Sequence, residues 1–197
     1  MRVLVIFAHP VPGSFNAAIH ETVLACLRRN GHEIRDTDLY AEEFQPALSR
    51  AEREAYHSPG ENLTPAIARY VDDLQWAEAL VFCFPTWWFG MPAIVKGYLD
   101  RVWVPGVAFH MPGPDGGGLK PGLRNIRKLA LVTTYGAPWW LVHWVGGAAR
   151  NVILRGLTGL MAPGLKTLYL AHHRMDFSTP ESRARFLAKV VRKFGGF

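Results

Sequence analysis

Val3-Leu4-Val5-Ile6-Phe7-Ala8 runs straight into His9-Pro10-Val11-Pro12-Gly13-Ser14-Phe15-Asn16, and this junction decides the fold. An unbroken apolar run rich in β-branched residues reads as a strand buried on both faces, the habit of a parallel sheet rather than of a half-wet hairpin. The Pro/Gly turn ends it, and Ser14 is placed to cap a helix that reaches Asn30-Gly31, with Ala17, Ala18, Val23, Leu24 and Leu27 at helical spacing. A strand that turns directly into a helix delivers free backbone N–H groups and a positive helix end to one point. That is an anion-binding arrangement, here without a Walker lysine and without GxGxxG spacing. An ordinary capped helix after a strand shares the same pattern.

Working outward, Glu33 to Leu39 alternates like an edge strand. Ser49 to Glu52 has a capping-box pattern, and Thr64-Pro65 puts a cap and an N1 proline at the start of a further helix to about Ala77. Ala79-Leu80-Val81-Phe82-Cys83-Phe84 and Leu129 to Thr134 repeat the fully apolar strand, and Lys166 to Ala171 gives a last one. Helices are expected at Pro92–Val102, at Trp140–Leu157 as one piece, and from Thr179-Pro180 to Phe194. Gly106 to Gly122, with six glycines and three prolines, reads as one long loop. Strands alternating with helices predict an α/β domain spanning 1–197, its parallel sheet covered on both faces. Ligands of such sheets bind beyond the strands' carboxyl ends, where strand order reverses.

Composition narrows the function. The 197 residues are 49% hydrophobic and 19% charged, which excludes global disorder. Residues 1–100 carry 8 Lys/Arg against 13 Asp/Glu, whereas residues 101–197 carry 14 against 3, a balance of +11 that suits anionic ligands or an acidic partner. The basic residues are scattered, with no zinc-finger spacing or basic-region heptad, so nucleic acid is not the expected partner. Cys26 and Cys83 stand far apart in apolar surroundings, as reduced core residues of a cytoplasmic protein do. No apolar run is long enough to span a bilayer, and Val3–Ala8 is too short for a signal-peptide core. His110, His172 and His173 lack the carboxylate or cysteine spacing of a metal site, so no metal is expected.

Two more loops follow strand ends. Pro85-Thr86-Trp87-Trp88-Phe89-Gly90-Met91-Pro92 sets three large aromatics between prolines, a wall for a flat ligand or a surface for a neighbouring subunit. Thr133-Thr134-Tyr135-Gly136 offers hydroxyls and main-chain donors suited to negative charge on a heterocycle. A phosphate cradle with two ring-shaped loops points to a flavin.

These residues carry a resemblance. Ala8-His9-Pro10 with Ser14-Phe15-Asn16, then Pro85 to Gly97, Asp100-Arg101-Val102, Gly106 to Phe109 and Leu131 to Thr134, resemble in the same order the flavodoxin-like NAD(P)H:quinone oxidoreductases. The resemblance implies a three-layer αβα sandwich with a five-stranded sheet in the order 2-1-3-4-5. It implies a cytoplasmic homodimer that passes hydride from NAD(P)H through FMN or FAD to a quinone-like acceptor, the two substrates taking turns in one slot. His9, Ser14, Phe15 and Asn16 would hold the flavin phosphate; Pro85, Thr86, Trp87, Trp88 and Phe89 would run along the ring; Thr133, Thr134, Tyr135 and Gly136 would meet its pyrimidine side. Tyr135 stands where the family often has glycine. Tyr135 and His143 are the candidate proton donors. The apolar stretch from Trp139 to Val145 is expected in the dimer interface. Two other readings share the resemblance: a flavin-binding regulatory subunit of a potassium-efflux system, with a membrane-associated partner, and an azo- or nitro-group reductase. Lys120 and Arg124 beside the glycine-rich loop read as solvated charge rather than as a selector of NADPH.

Overall fold

The computed structural model describes residues 1–113 and 116–197. Five strands, β1 (Arg2–Phe7), β2 (Glu33–Asp38), β3 (Ala79–Thr86), β6 (Lys128–Tyr135) and β7 (Lys166–His172), form a parallel sheet ordered β2-β1-β3-β6-β7. Counted along the sheet's own strands this is 2-1-3-4-5, as the resemblance implied. The central strands β1 and β3 are the apolar runs of the sequence, and β3 is buried along its whole length. Two short strands, β4 (Phe109–His110) and β5 (Lys120–Pro121), pair antiparallel inside the glycine-rich segment, which is therefore a small hairpin and not loop throughout. Pro114 and Asp115 of that segment lie outside the described residues.

Side-chain alternation along the strands splits the core in two. Val3, Val5, Phe7, Val81, Cys83 and Val132 pack under α1 (Phe15–Arg29) and α7 (Pro180–Phe194). Leu4, Ile6, Leu80, Phe82, Phe84 and Leu131 pack against α3 (Pro65–Trp76) and α4 (Ala93–Val102). The short α2 (Arg50–Ala55) is tied to α4 by a buried ion pair, Arg101 to Glu52. The expected helix Trp140–Leu157 is broken. α5 (Trp139–Trp144) stops at Gly146 and Gly147, whose φ values of 95° and 56° leave the right-handed region. α6 (Ala148–Asn151) then passes into a wide turn over Val152–Gly156 and a tight one over Thr158–Leu160.

Register brings the functional ends together. Phe7 pairs with Cys83, Thr86 with Tyr135 and Thr134 with His172. The chain leaves β1 toward β2 on one side and returns to β3 on the other, so strand order reverses between β1 and β3. Among the described residues no helix is long and apolar enough to cross a membrane.

Candidate functional site

At the strands' carboxyl ends lies a cavity of about 610 Å³, lined by His9, Asn16, Pro85 to Phe89, Thr134 to Ala137, Met175 and Asp176. The turn after β1 is held from within: Val11 N–H donates to His9 Nδ1 at 3.0 Å, and Ser14 N–H to the Val11 carbonyl. Burial lowers the His9 pKa below its ordinary 6.5, so the imidazole is neutral at pH 7. With Nδ1 accepting, the proton sits on Nε2, which remains a donor. Ser14 caps α1, its Oγ accepting from Ala17 N–H at 3.1 Å. The side chain of Ser14 is thereby spent on the helix, and it does not line the cavity. Phe15 packs edge-on against His172, at 5.3 Å between ring centres, and against Phe186 in the core. Any part that Ser14 and Phe15 play toward an anion belongs to their main chain at the helix end.

Asn16 is buried, and its Nδ2 donates to Thr134 Oγ1 at 2.9 Å, joining the first loop to the third across the sheet. Its Oδ1 is buried with no partner among the described residues. An orphaned acceptor in a polar cavity suits the O–H or N–H of a ligand, because leaving it unmet costs about 1–3 kcal/mol. Thr133 points to the opposite face, where its Oγ1 lies 2.9 Å from Thr86 Oγ1 in full burial, so it steadies the pair of strands instead of lining the cavity.

The second loop is a two-residue reversal. Trp87 and Gly90 exchange both backbone hydrogen bonds, at 3.1 and 3.0 Å. Between them Trp88 and Phe89 adopt φ values of 50° and 61°. Left-handed backbone is unusual for large side chains and persists only where surroundings impose it, most often at ligand clamps. The indole of Trp88 is 96% exposed, offering a flat face to whatever enters.

Tyr135 lines this cavity, but its hydroxyl is 3.1 Å from that of Tyr169, and its ring stacks on His173 at 5.0 Å. Burial raises the Tyr169 pKa, and the neighbouring Tyr135 adds to the effect. His143 lies elsewhere. It is exposed on α5 and lines a second cavity of about 300 Å³, with Trp139, Arg150, Arg155, Tyr169 and His173. His172 and His173 face opposite sides of the sheet, toward Phe15 and Tyr135. Among the described residues no three metal-ligating side chains come together.

Sequence reasoning missed Ala137, Met175 and Asp176. Arg174, at φ 59°, turns the chain after β7, and its N–H donates to the Ala137 carbonyl at 3.2 Å, closing a fourth strand-end loop over the third. A Cβ on Gly136 would stand 2.6 Å from Asp176 Oδ2, so a larger residue there would push that carboxylate from its place on the cavity wall. The signal was available, since β7 ends beside β6 and the strand-end rule applies to it equally.

A flat aromatic wall, a helix N-terminus, the Nε2 donor of His9 and the orphaned Asn16 acceptor together fit a phosphorylated planar heterocycle. Comparison with known proteins agrees with this chemistry. The mouse ribosyldihydronicotinamide dehydrogenase (quinone) is 32% identical, over 98% of this chain and 90% of its own. The rat NAD(P)H dehydrogenase (quinone) 1 is 36% identical over 81% of this chain, which spans only 59% of that relative's length. Among solved structures, the NAD(P)H:quinone oxidoreductase from Methanothermobacter marburgensis superposes with a TM-score of 0.83 at 26% identity, covering 99% of this chain and 96% of that one. With residues 1–183 matching the family described by its flavodoxin-like fold, and with these relatives, the chain belongs to that family.

Proposed function

We propose that the protein is a flavin-dependent NAD(P)H oxidoreductase that delivers two electrons to a quinone or similar acceptor, with residues 1–197 acting as one cytoplasmic flavin-binding domain. The observation that carries this reading is the convergence of four strand-end loops on one cavity containing a buried, unmet acceptor and a strained aromatic turn. The bound flavin, FMN or FAD, supplies the hydride acceptor and the two-electron store. The chain's residues do the rest. His9 Nε2 and the main-chain N–H groups of Phe15 and Asn16 at the start of α1 hold the phosphate. Trp87, Trp88 and Phe89 flank the ring, and Asn16 Oδ1 accepts from a ligand hydroxyl or N–H. Main-chain donors at Tyr135 and Gly136 favour the negative charge that reduction brings. A second copy of the chain, covering the exposed Trp88, Trp140 and Trp144, excludes water from above.

The test is direct. Protein incubated with FMN or FAD and freed of excess should be yellow; anaerobic NADH or NADPH should bleach it, and a soluble benzoquinone should restore the colour. With both substrates varied, a shared slot gives parallel double-reciprocal lines. Protein that stays colourless with both nucleotides overturns the reading.

A further inference from the structure

The second cavity is chemically unlike the first. Two guanidinium groups, Arg150 and Arg155, and two imidazoles, His143 and His173, line it with Asn151, and among the described residues no carboxylate does. Neither arginine is in an ion pair among the described residues. Arg150 is held over the face of Tyr169, 5.0 Å from the ring centre, which fixes its guanidinium at the wall. Unpaired guanidinium groups converging on a concave surface recognise phosphate, because their planar forks match its oxygens. The two cavities share a wall: Tyr135 lines the first, and the ring it stacks on, His173, lines the second.

A reduced nicotinamide nucleotide has matching parts, a ring that must reach the redox cavity and a phosphate one ribose away. We propose that the Arg150–Arg155 cavity binds the phosphate groups of the hydride donor, so that this enzyme selects phosphorylated dihydronicotinamides over ribosyldihydronicotinamide. The proposal rests on the oxidoreductase reading and names the donor class of that same site. It also gives His143 a place, as a donor to phosphate and not to the acceptor.

Flavin-loaded protein is assayed with one quinone and two donors that differ only by the phosphate: reduced nicotinamide mononucleotide and ribosyldihydronicotinamide. The expected kcat/KM ratio favours the mononucleotide by about tenfold or more, as charge-assisted hydrogen bonds give. Arg155→Gln and Arg150→Gln should each lower that ratio, while Arg192→Gln, far away on α7, leaves it as it is. Calorimetric titration of the loaded protein with inorganic pyrophosphate should saturate, and more weakly in both cavity variants. Equal use of the two donors, a ratio unmoved by either cavity variant, or no saturable pyrophosphate heat overturns the proposal. Loss of turnover with both donors overturns the oxidoreductase reading instead, and the titration, which needs no turnover, still decides the cavity.

Discussion

Trp88 and Phe89 sit where a tight reversal asks for asparagine or glycine, and nothing in the ligand-free chain repays that choice, since Trp88 is almost wholly exposed. Local rules broken without a folding benefit mark places shaped for function. Trp88→Asn should therefore raise the stability of the ligand-free protein by about 0.5–1 kcal/mol, through relief of left-handed backbone. The same change should weaken flavin binding by removing the stacking face. Thermal melts and fluorescence titration read the two effects, and their opposite signs are the prediction. Cys83 shows a different residue-scale constraint. Burial raises its thiol pKa, and the charge of Asp36 raises it further. The thiolate is the reactive form, so an aromatic disulfide reagent should leave Cys83 unlabelled in native protein at pH 8 and label it on unfolding.

Helix α2 is too short to persist alone, and what fixes it is one carboxylate. Glu52 completes the capping box with Ser49, accepts from Arg101 Nε at 2.9 Å and is only 8% exposed. Burial alone would raise its pKa, but the hydrogen bonds from Arg101 and Ser49 outweigh it and hold the carboxyl below its ordinary 4.5. Arg101→Ala strands that charge in the core and should cost about 3–5 kcal/mol. Arg101→Met combined with Glu52→Leu should recover most of this loss in urea unfolding, because no unpaired charge remains. At this scale the sequence was readable where one force dominated. Apolar runs such as Ala79–Phe84 read as strands between two helical layers, and the caps at Ser14, Ser49 and Thr179 appear in place, whereas Thr64 makes no side-chain cap hydrogen bond to α3. It was less readable where tertiary geometry decides. The apolar pattern from Trp140 to Leu157 suits one helix, yet Gly146 and Gly147 turn it, and no local rule distinguishes a tolerated glycine from a breaking one. The same limit hid Asp176, whose role at the cavity wall depends on a β7 loop folding back over Gly136.

Over the whole molecule, the three loops foreseen as one site do share a cavity, because strand register, legible as three apolar runs, aligns their ends. The charge asymmetry was legible only as a sum; that two of the excess arginines meet at one cavity needed the fold. Histidines give the molecule a further collective property. Burial lowers the pKa of His9, His172 and His173 from 6.5, and Arg183 beside His172, with His172 beside His173, adds to it. The unfolded chain holds these groups near 6.5, so below that pH it binds more protons than the folded chain. Stability from the three is therefore complete above pH ~6.5 and is lost as pH falls through the lowered folded values. Carboxylates such as Glu52 lose theirs only below about pH 4.5, which leaves a window for the histidines alone. Melting temperature recorded from pH 8 to 5 should be level to about 6.5 and then fall. His172→Asn should make that fall shallower, since one of the protons taken up on unfolding is gone. A melting temperature unchanged between pH 7 and 5.5 would show that the three imidazoles titrate alike in folded and unfolded chains.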